Sequence, residues 1–98
     1  MKTQELINLI NDHEGLYSLL EAENIIPTDI ELVAEGLESD ARRWFETATD
    51  IYKCEDGFVG INGVKRIYSE MMSSSDCDIT CTALEYQAVP SITYKPKN

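Results

Sequence analysis

Apolar positions in the first 26 residues recur at helical spacing in two separate sets. The first set shares one helical face at about 100° per residue and consists of Leu6, Ile7, Leu9 and Ile10. The second set consists of Leu16, Tyr17, Leu19 and Leu20. In an unbroken helix the second set would be rotated by about 80° from the first, and Gly15 lies between them. The pattern therefore predicts two short helices, the first capped by Thr3 and the second ended before Pro27.

Residues 28–38 fit two different elements. Thr28 and Glu31 have the spacing of a capping box, and Ile30, Val33 and Leu37 then recur at helical intervals. A strand also fits, because apolar residues alternate with Glu31 at the start of the segment. We favour a third short helix and keep the strand as the alternative.

From Arg42 onward, aromatic and β-branched residues predict strands. Asp56-Gly57 is typical of a tight hairpin turn with positive φ angles, and Gly60 and Gly63 are candidates for bulges. This turn would pair Cys54 with Val59 on the face that is buried near the turn. Farther from the turn, the same face would pair Glu46 with Ile67 and Trp44 with Ser69. The other face would pair Phe45 with Tyr68 and Thr47 with Arg66.

Two further segments complete the predicted sheet. Residues 79–88 alternate as a third strand, and residues 91–94 form a short edge strand between Pro90 and Pro96. The fold class that follows is α+β, with two or three short N-terminal helices packed on a three- to four-stranded antiparallel β-meander. We expect residues 1–98 to form a single domain, with an acidic helical part at 1–38 and a sheet part at 42–95.

The charge of the chain is concentrated near its N-terminus. Of 18 carboxylates, ten fall in the first forty residues, where Lys2 is the only basic side chain, and the net charge is −10. This balance opposes direct binding to nucleic acid or to an anionic membrane, and it favours a basic protein partner.

Nine of these carboxylates recur at intervals of two to seven residues. On helices folded together they would form a broad negative surface, and we predict that this surface binds the partner. They are Asp12, Glu14, Glu21, Glu23, Asp29, Glu31, Glu35, Glu38 and Asp40. Such a surface resembles a nucleic-acid duplex, which carries one charge per about 1.7 Å of its axis. The simpler interpretation is that the carboxylates only keep the protein soluble.

The sequence contains little that indicates catalysis or a cofactor. His13 is the only histidine and Cys54 is the thiol nearest the turn, so a Cys54/His13 pair is the one enzymatic alternative. Cysteine and aspartate cluster at residues 76–81, but no two cysteines are separated by two residues as in zinc sites. We expect no catalytic site, no metal and no cofactor.

A third hypothesis uses basic and aromatic side chains of the sheet. Bases can stack on aromatic rings while cations neutralise phosphates, so this face is a candidate for binding single-stranded nucleic acid or a small ligand. Its residues are Arg42, Arg43, Trp44, Lys65, Arg66 and Tyr68. The net negative charge of the chain opposes this hypothesis.

Three cysteines, no N-terminal leader pattern and no apolar window of about 18 residues predict a soluble cytoplasmic protein. In size, acidity and lack of a catalytic signature, the chain is similar to accessory proteins of phages and mobile elements, some of which inhibit nucleic-acid-binding machinery. The function predicted is a non-enzymatic acidic interaction protein, with an inhibitor or nucleic-acid mimic as one form of it.

Overall fold

The computed structural model describes residues 1–77, 79–89 and 93–97 and has two helices beside a five-stranded sheet. The helices are α1 (Thr3–Asn11) and α2 (Leu19–Ile25), and a 3-10 helix covers Ser74–Cys77. The strands are β1 (Glu31–Ala41), β2 (Phe45–Cys54), β3 (Gly57–Ile67), β4 (Thr82–Val89) and β5 (Thr93–Pro96). They form an antiparallel meander in the order β1-β2-β3-β4-β5. The α+β class is confirmed, with more strands than expected.

The break between the two helices lies at Gly15, as the sequence predicts. Gly15 has a φ of 82°, which glycine adopts without steric cost. After it, Ser18 caps α2: its hydroxyl accepts from Glu21 N at 3.1 Å, and its own N–H donates to Glu21 Oε1 at 3.0 Å. The cap predicted for α1 is wrong, because Thr3 is the first helical residue and its N–H donates to Asp56 Oδ1 at 2.8 Å.

The third helix is also wrong, because residues 31–41 form the edge strand β1. The register between β1 and β2 shifts three times, and Gly36 (φ 72°) and Glu38 (φ 51°) have left-handed backbones. Each shift changes which side chains share a face. A bulged strand therefore accommodates apolar residues spaced by three or four positions, which is the spacing that suggested a helix.

The β2–β3 hairpin turns one residue earlier than predicted, and this moves the partner of each β2 residue near the turn by two positions along β3. Glu55 and Asp56 form the turn, and Gly57 pairs with Cys54 and has no positive φ. A shift of two preserves the side-chain alternation, so the predicted face near the turn is the buried one. The pairing does not shift at Gly60 or Gly63; it shifts between Glu46 and Thr47.

Beyond that shift, the outer pairs of the hairpin differ from those predicted. Glu46 lies opposite Arg66 instead of Ile67, and Phe45 lies opposite Ile67 instead of Tyr68. Thr47 lies on the turn side of the shift and pairs with Val64 instead of Arg66, because the turn comes earlier. The earlier turn and the one extra residue on β3 together move the partners of Glu46 and Phe45 by one position from those predicted.

The helices cover one face of the sheet, and this packing is the main core. Leu6 and Ile10 of α1 and Leu19 of α2 are buried with Tyr52 and Val59 of the sheet. The segment between the helices is held to β3 and to the residue before β4: Val64 N donates to Tyr17 O at 3.0 Å and Cys81 N to Leu16 O at 2.8 Å. The connection thus fixes α2 beside β3.

The opposite face is concave and is also largely buried. Ile51, Thr49 and Val64 on this face are almost completely covered, and Tyr86 lies across it. Such burial on both faces requires the sheet to curl on itself, because neither of the described helices α1 and α2 covers this side.

The predicted C-terminal strands are partly described. The third predicted strand corresponds to β4, which begins at Thr82. The fourth was predicted for residues 91–94, of which 91 and 92 lie outside the described residues, and β5 runs over Thr93–Pro96. In the described part of the chain, no helix has the length and apolar character needed to cross a membrane.

Candidate functional site

The nine carboxylates predicted to bind a partner lie on four parts of the fold. Asp12 and Glu14 lie in the segment after α1, and Asp29 lies in the turn that precedes β1. Those on regular elements are Glu21 and Glu23 of α2, and Glu31, Glu35, Glu38 and Asp40 of β1. Nearly half of the set is therefore carried by an edge strand, where the sequence suggested a helix.

One group brings α2, β1 and β2 together. Glu23 of α2 and Glu35 of β1 both act electrostatically on Asp50 of β2. We call Glu23, Glu35 and Asp50 the α2–β1 acidic group. Asp50 is half-buried, and its Oδ1 accepts a hydrogen bond of 3.0 Å from the N–H of Gly36. This bond holds the bulge of β1 against β2, so the bulge also positions Glu35.

Burial and the carboxylates of this group raise the pKa values of Asp50 and Tyr52. Burial raises the pKa of Asp50, and the charges of Glu35 and Glu23 raise it further, against the opposing effects of the Gly36 hydrogen bond and of Lys65. Burial also raises the pKa of the neighbouring Tyr52 to about 12, with contributions from the same three carboxylates. Two titrating groups therefore report the same local excess of negative charge.

Asp50 is absent from the sequence-predicted set. It lies beyond the first forty residues, in the part of the chain whose charges nearly balance. Its alternation with Tyr52 and Cys54 was the available signal, because that pattern places a carboxylate on the helix-covered face of β2.

A second acidic group lies near the hairpin turn and is partly compensated. Asp29 and Glu31 line a surface depression together with Lys53 and Glu55. Glu31 is opposite Lys53 across the β1–β2 ladder. The amino group of Met1 bonds Glu55 at 2.7 Å. Cations therefore accompany the carboxylates at this end of the sheet.

Three more of the nine carboxylates make internal contacts. Glu21 accepts from Ser18 and also from the Ser74 hydroxyl at 3.1 Å, and hydrogen bonding to Ser18 lowers its pKa. Glu38 accepts from the Tyr86 hydroxyl at 2.9 Å. Asp40 forms an ion pair of 3.2 Å with Arg42. These side chains stabilise the fold locally.

Asp12 and Glu14 lie apart from the α2–β1 acidic group. They follow α1, which packs on β3 and β4, whereas β1 is the far edge of the sheet. His13 lies between them, and its Nδ1 is 3.0 Å from the carbonyl oxygen of Glu14. The structure thus places this pair away from Glu35.

The enzymatic alternative gains no support from the thiols. All three cysteines are free and buried, and burial raises the pKa of Cys54 and of Cys77. Burial raises the pKa of Cys81 to about 11. A nucleophilic thiol needs a shift in the opposite direction. Within residues 1–77, 79–89 and 93–97, no three His, Cys, Asp or Glu side chains are grouped as a metal site would require.

The basic and aromatic residues of the third hypothesis do not all lie together. The Arg43 guanidinium lies 4.7 Å from the centre of the Trp44 ring, and Tyr68 N donates to Trp44 O at 2.8 Å. Lys65 is directed differently, because its ammonium lies against the backbone of Gly36. The aromatic residues therefore meet at the open end of the hairpin, with Lys65 turned toward β1.

Comparisons with protein-family models, with curated proteins and with solved structures found no significant match. The functional argument therefore depends on the chemistry of the chain's own surfaces.

Proposed function

We propose that this chain is a non-enzymatic interaction protein that binds a basic protein surface through the α2–β1 acidic group. The convergence of Glu23 and Glu35 on Asp50 carries the proposal, because it concentrates negative charge from three elements on one side of the sheet. Asp50 is half-buried, so water screens its charge less than at a fully exposed position.

The two glutamates of this group are available to a partner. Glu23 and Glu35 are exposed, and no ion pair within 4.0 Å involves either of them in the described part of the chain. Lys65 opposes their effect on Asp50. A partner that supplies arginine or lysine side chains would therefore gain attraction without first breaking an internal salt bridge.

The edge position of β1 favours docking through side chains over addition of a partner strand. An edge strand offers unpaired backbone groups to another chain, but bulges and charged residues protect natural edges from such pairing. β1 has both, with three register shifts and four carboxylates over its eleven residues. Its regular ladder is interrupted, and its charged side chains remain exposed.

A nucleic-acid-binding protein is the class of partner that best fits this chemistry. Its phosphate-binding groove presents arginine and lysine side chains, and carboxylates on a small rigid domain can occupy the places of phosphates. The protein would then act as an inhibitor that competes with nucleic acid.

Affinity capture from a lysate of the source cell tests this function. Immobilised protein should retain a basic protein at low salt and release it at high salt or on addition of duplex DNA. The double variant Glu23→Gln/Glu35→Gln should lose this partner. A matched variant that removes the same charge elsewhere, Asp12→Asn/Glu14→Gln, should keep it.

Two results would refute the proposal. One is that both double variants retain the partner equally well, because the position of the removed carboxylates would then be irrelevant. The other is a partner that resists both salt and duplex DNA, since that behaviour indicates an apolar interface.

A further inference from the structure

The open end of the β2–β3 hairpin exposes large apolar side chains close together. Trp44 is 47% exposed and Tyr68 is 49% exposed. They lie next to the Phe45–Ile67 pair, and Tyr68 N donates to Trp44 O at 2.8 Å, so the backbones of the two residues are side by side. Met71, which is 94% exposed, comes three residues after Tyr68. We call Arg43, Trp44, Tyr68 and Met71 the Trp44 patch.

The composition of the Trp44 patch is typical of a protein interface. Tryptophan, tyrosine and arginine are enriched among residues that dominate binding energy, and methionine is enriched in interfaces generally. Arg43 stacks on Trp44, which leaves its planar guanidinium preorganised to bond a carboxylate. None of the four patch residues lies on α2 or on β1, although Arg43 comes two residues after β1 ends.

The charges around the patch balance, unlike those of the whole chain. Arg42, Arg43 and Arg66 are matched here by three carboxylates, which are Asp40, Glu46 and Glu70. Of 18 acidic and 8 basic residues, 15 and 5 therefore remain elsewhere, so the full net charge of −10 lies outside the patch. A second copy of this chain, which carries the same charge, meets the least repulsion at this end.

We propose that the chain forms a symmetric homodimer through the Trp44 patch. In a two-fold interface each copy presents the same surface, so the surface must complement itself. A patch with an aromatic centre and both signs of charge around it meets this condition. The dimer would leave the α2–β1 acidic group of each copy free, so this inference is independent of the proposed function.

The single tryptophan of the chain makes the proposal directly measurable. Sedimentation velocity from micromolar to millimolar protein should show a shift from monomer to dimer. Over the same range, Trp44 fluorescence should shift to the blue and become less accessible to acrylamide, because the exposed ring becomes buried. Trp44→Ser should weaken dimerisation at least about tenfold, which is about 1.4 kcal/mol.

Leu20→Ser is the control for loss of an exposed apolar side chain, because Leu20 is also well exposed but lies on α2. It should leave the dimer unchanged. Arg43→Glu and Glu70→Arg should each weaken the dimer, because either change gives both copies the same local charge. The double variant Arg43→Glu/Glu70→Arg restores the balance of charge around the patch and should recover much of the dimer affinity.

A monomer at every concentration would overturn the proposal. So would equal loss of dimer in Leu20→Ser and Trp44→Ser. A third contrary result is a single-stranded oligonucleotide that quenches Trp44 while the protein stays monomeric, because the patch would then serve nucleic acid. The circular dichroism spectrum of each variant shows whether it is folded before these results are compared.

Discussion

The hydroxyl of Tyr86 in β4 donates a hydrogen bond of 2.9 Å to the carboxylate of Glu38 in β1. Two strands separate these residues in the sheet, and in a flat sheet β1 and β4 would lie about 14 Å apart. The bond therefore spans the concave face and fastens the edge strand across it. Glu38 reaches this position with a left-handed backbone, which costs free energy in a residue other than glycine.

Removing this hydroxyl should loosen the curl of the sheet. Tyr86→Phe is expected to lower the free energy of unfolding by about 1 to 2 kcal/mol, because it deletes a hydrogen bond to a charged acceptor. Urea unfolding followed by circular dichroism gives the value. Tyr68→Phe is the control and should change stability by less than about 0.5 kcal/mol, since Tyr68 is exposed. Equal effects of the two substitutions would contradict a fastening role.

Gly60 provides the space through which Tyr86 crosses the sheet. A Cβ atom on Gly60 would overlap the Tyr86 ring, whereas one on Gly57 would meet Thr3 Cγ2 at 3.4 Å and Glu85 Oε2 at 3.6 Å. Gly60→Ala should therefore destabilise the fold by about 1 to 3 kcal/mol, and Gly57→Ala by clearly less. In a Tyr86→Ala background, much of the cost of Gly60→Ala should disappear. Strictly additive effects in this double-mutant cycle would show that the two residues do not interact.

The sequence predicts those parts of the fold that depend on local patterns. The helical sets on either side of Gly15 and the buried alternation of Tyr52 and Cys54 both follow from side-chain periodicity. At residues 31–41 the sequence favoured a helix over the alternative strand, because the bulges of β1 shift the alternation by one residue, which imitates helical spacing. Cross-strand contacts such as Tyr86 with Glu38 depend on the curl of the whole sheet, which no local pattern encodes.

The candidate site, like the fold, could be predicted from the sequence only in part. Sequence charge alone identifies Glu23 and Glu35 as members of an acidic set. It cannot separate them from Glu21, which caps α2, or from Asp40, which pairs with Arg42. That distinction needs coordinates, because it depends on which cation or N–H group lies within hydrogen-bonding distance of each carboxylate.

Asp50 should reduce the stability of the protein at neutral pH. Its pKa is raised, mainly by burial, so the folded state favours the protonated form and the charged form carries a cost above that pKa. Asp50→Asn retains an oxygen that can accept from Gly36 N and removes the charge. It should raise the unfolding free energy at pH 7 by less than about 1 kcal/mol, since the group is only half-buried.

The pH dependence of that gain provides the check. As the pH falls through the raised pKa of Asp50, the native carboxyl becomes neutral, so the advantage of Asp50→Asn should shrink toward zero. Thermal unfolding at several pH values measures the difference. Asp12→Asn, at an exposed position, should show no such trend. A gain that persists at low pH would mean that burial of charge is not its cause.

The buried thiols should react slowly with alkylating reagents. Cys54, Cys77 and Cys81 are buried and their pKa values are raised, so little thiolate is exposed at neutral pH. Iodoacetamide labelling followed by mass spectrometry should modify them readily only after addition of denaturant. Rapid labelling of Cys54 in the folded protein would revive the enzymatic alternative with His13.

The proposed function requires negative potential to converge where α2 meets β1. An NMR titration of isotope-labelled protein with a short arginine-rich peptide tests this convergence without knowledge of the natural partner. The largest amide shifts should occur at Glu23, Glu35, Gly36 and Asp50, and they should diminish as salt is added. Shifts spread evenly over the acidic residues, or largest at Asp12 and Glu14, would contradict this account.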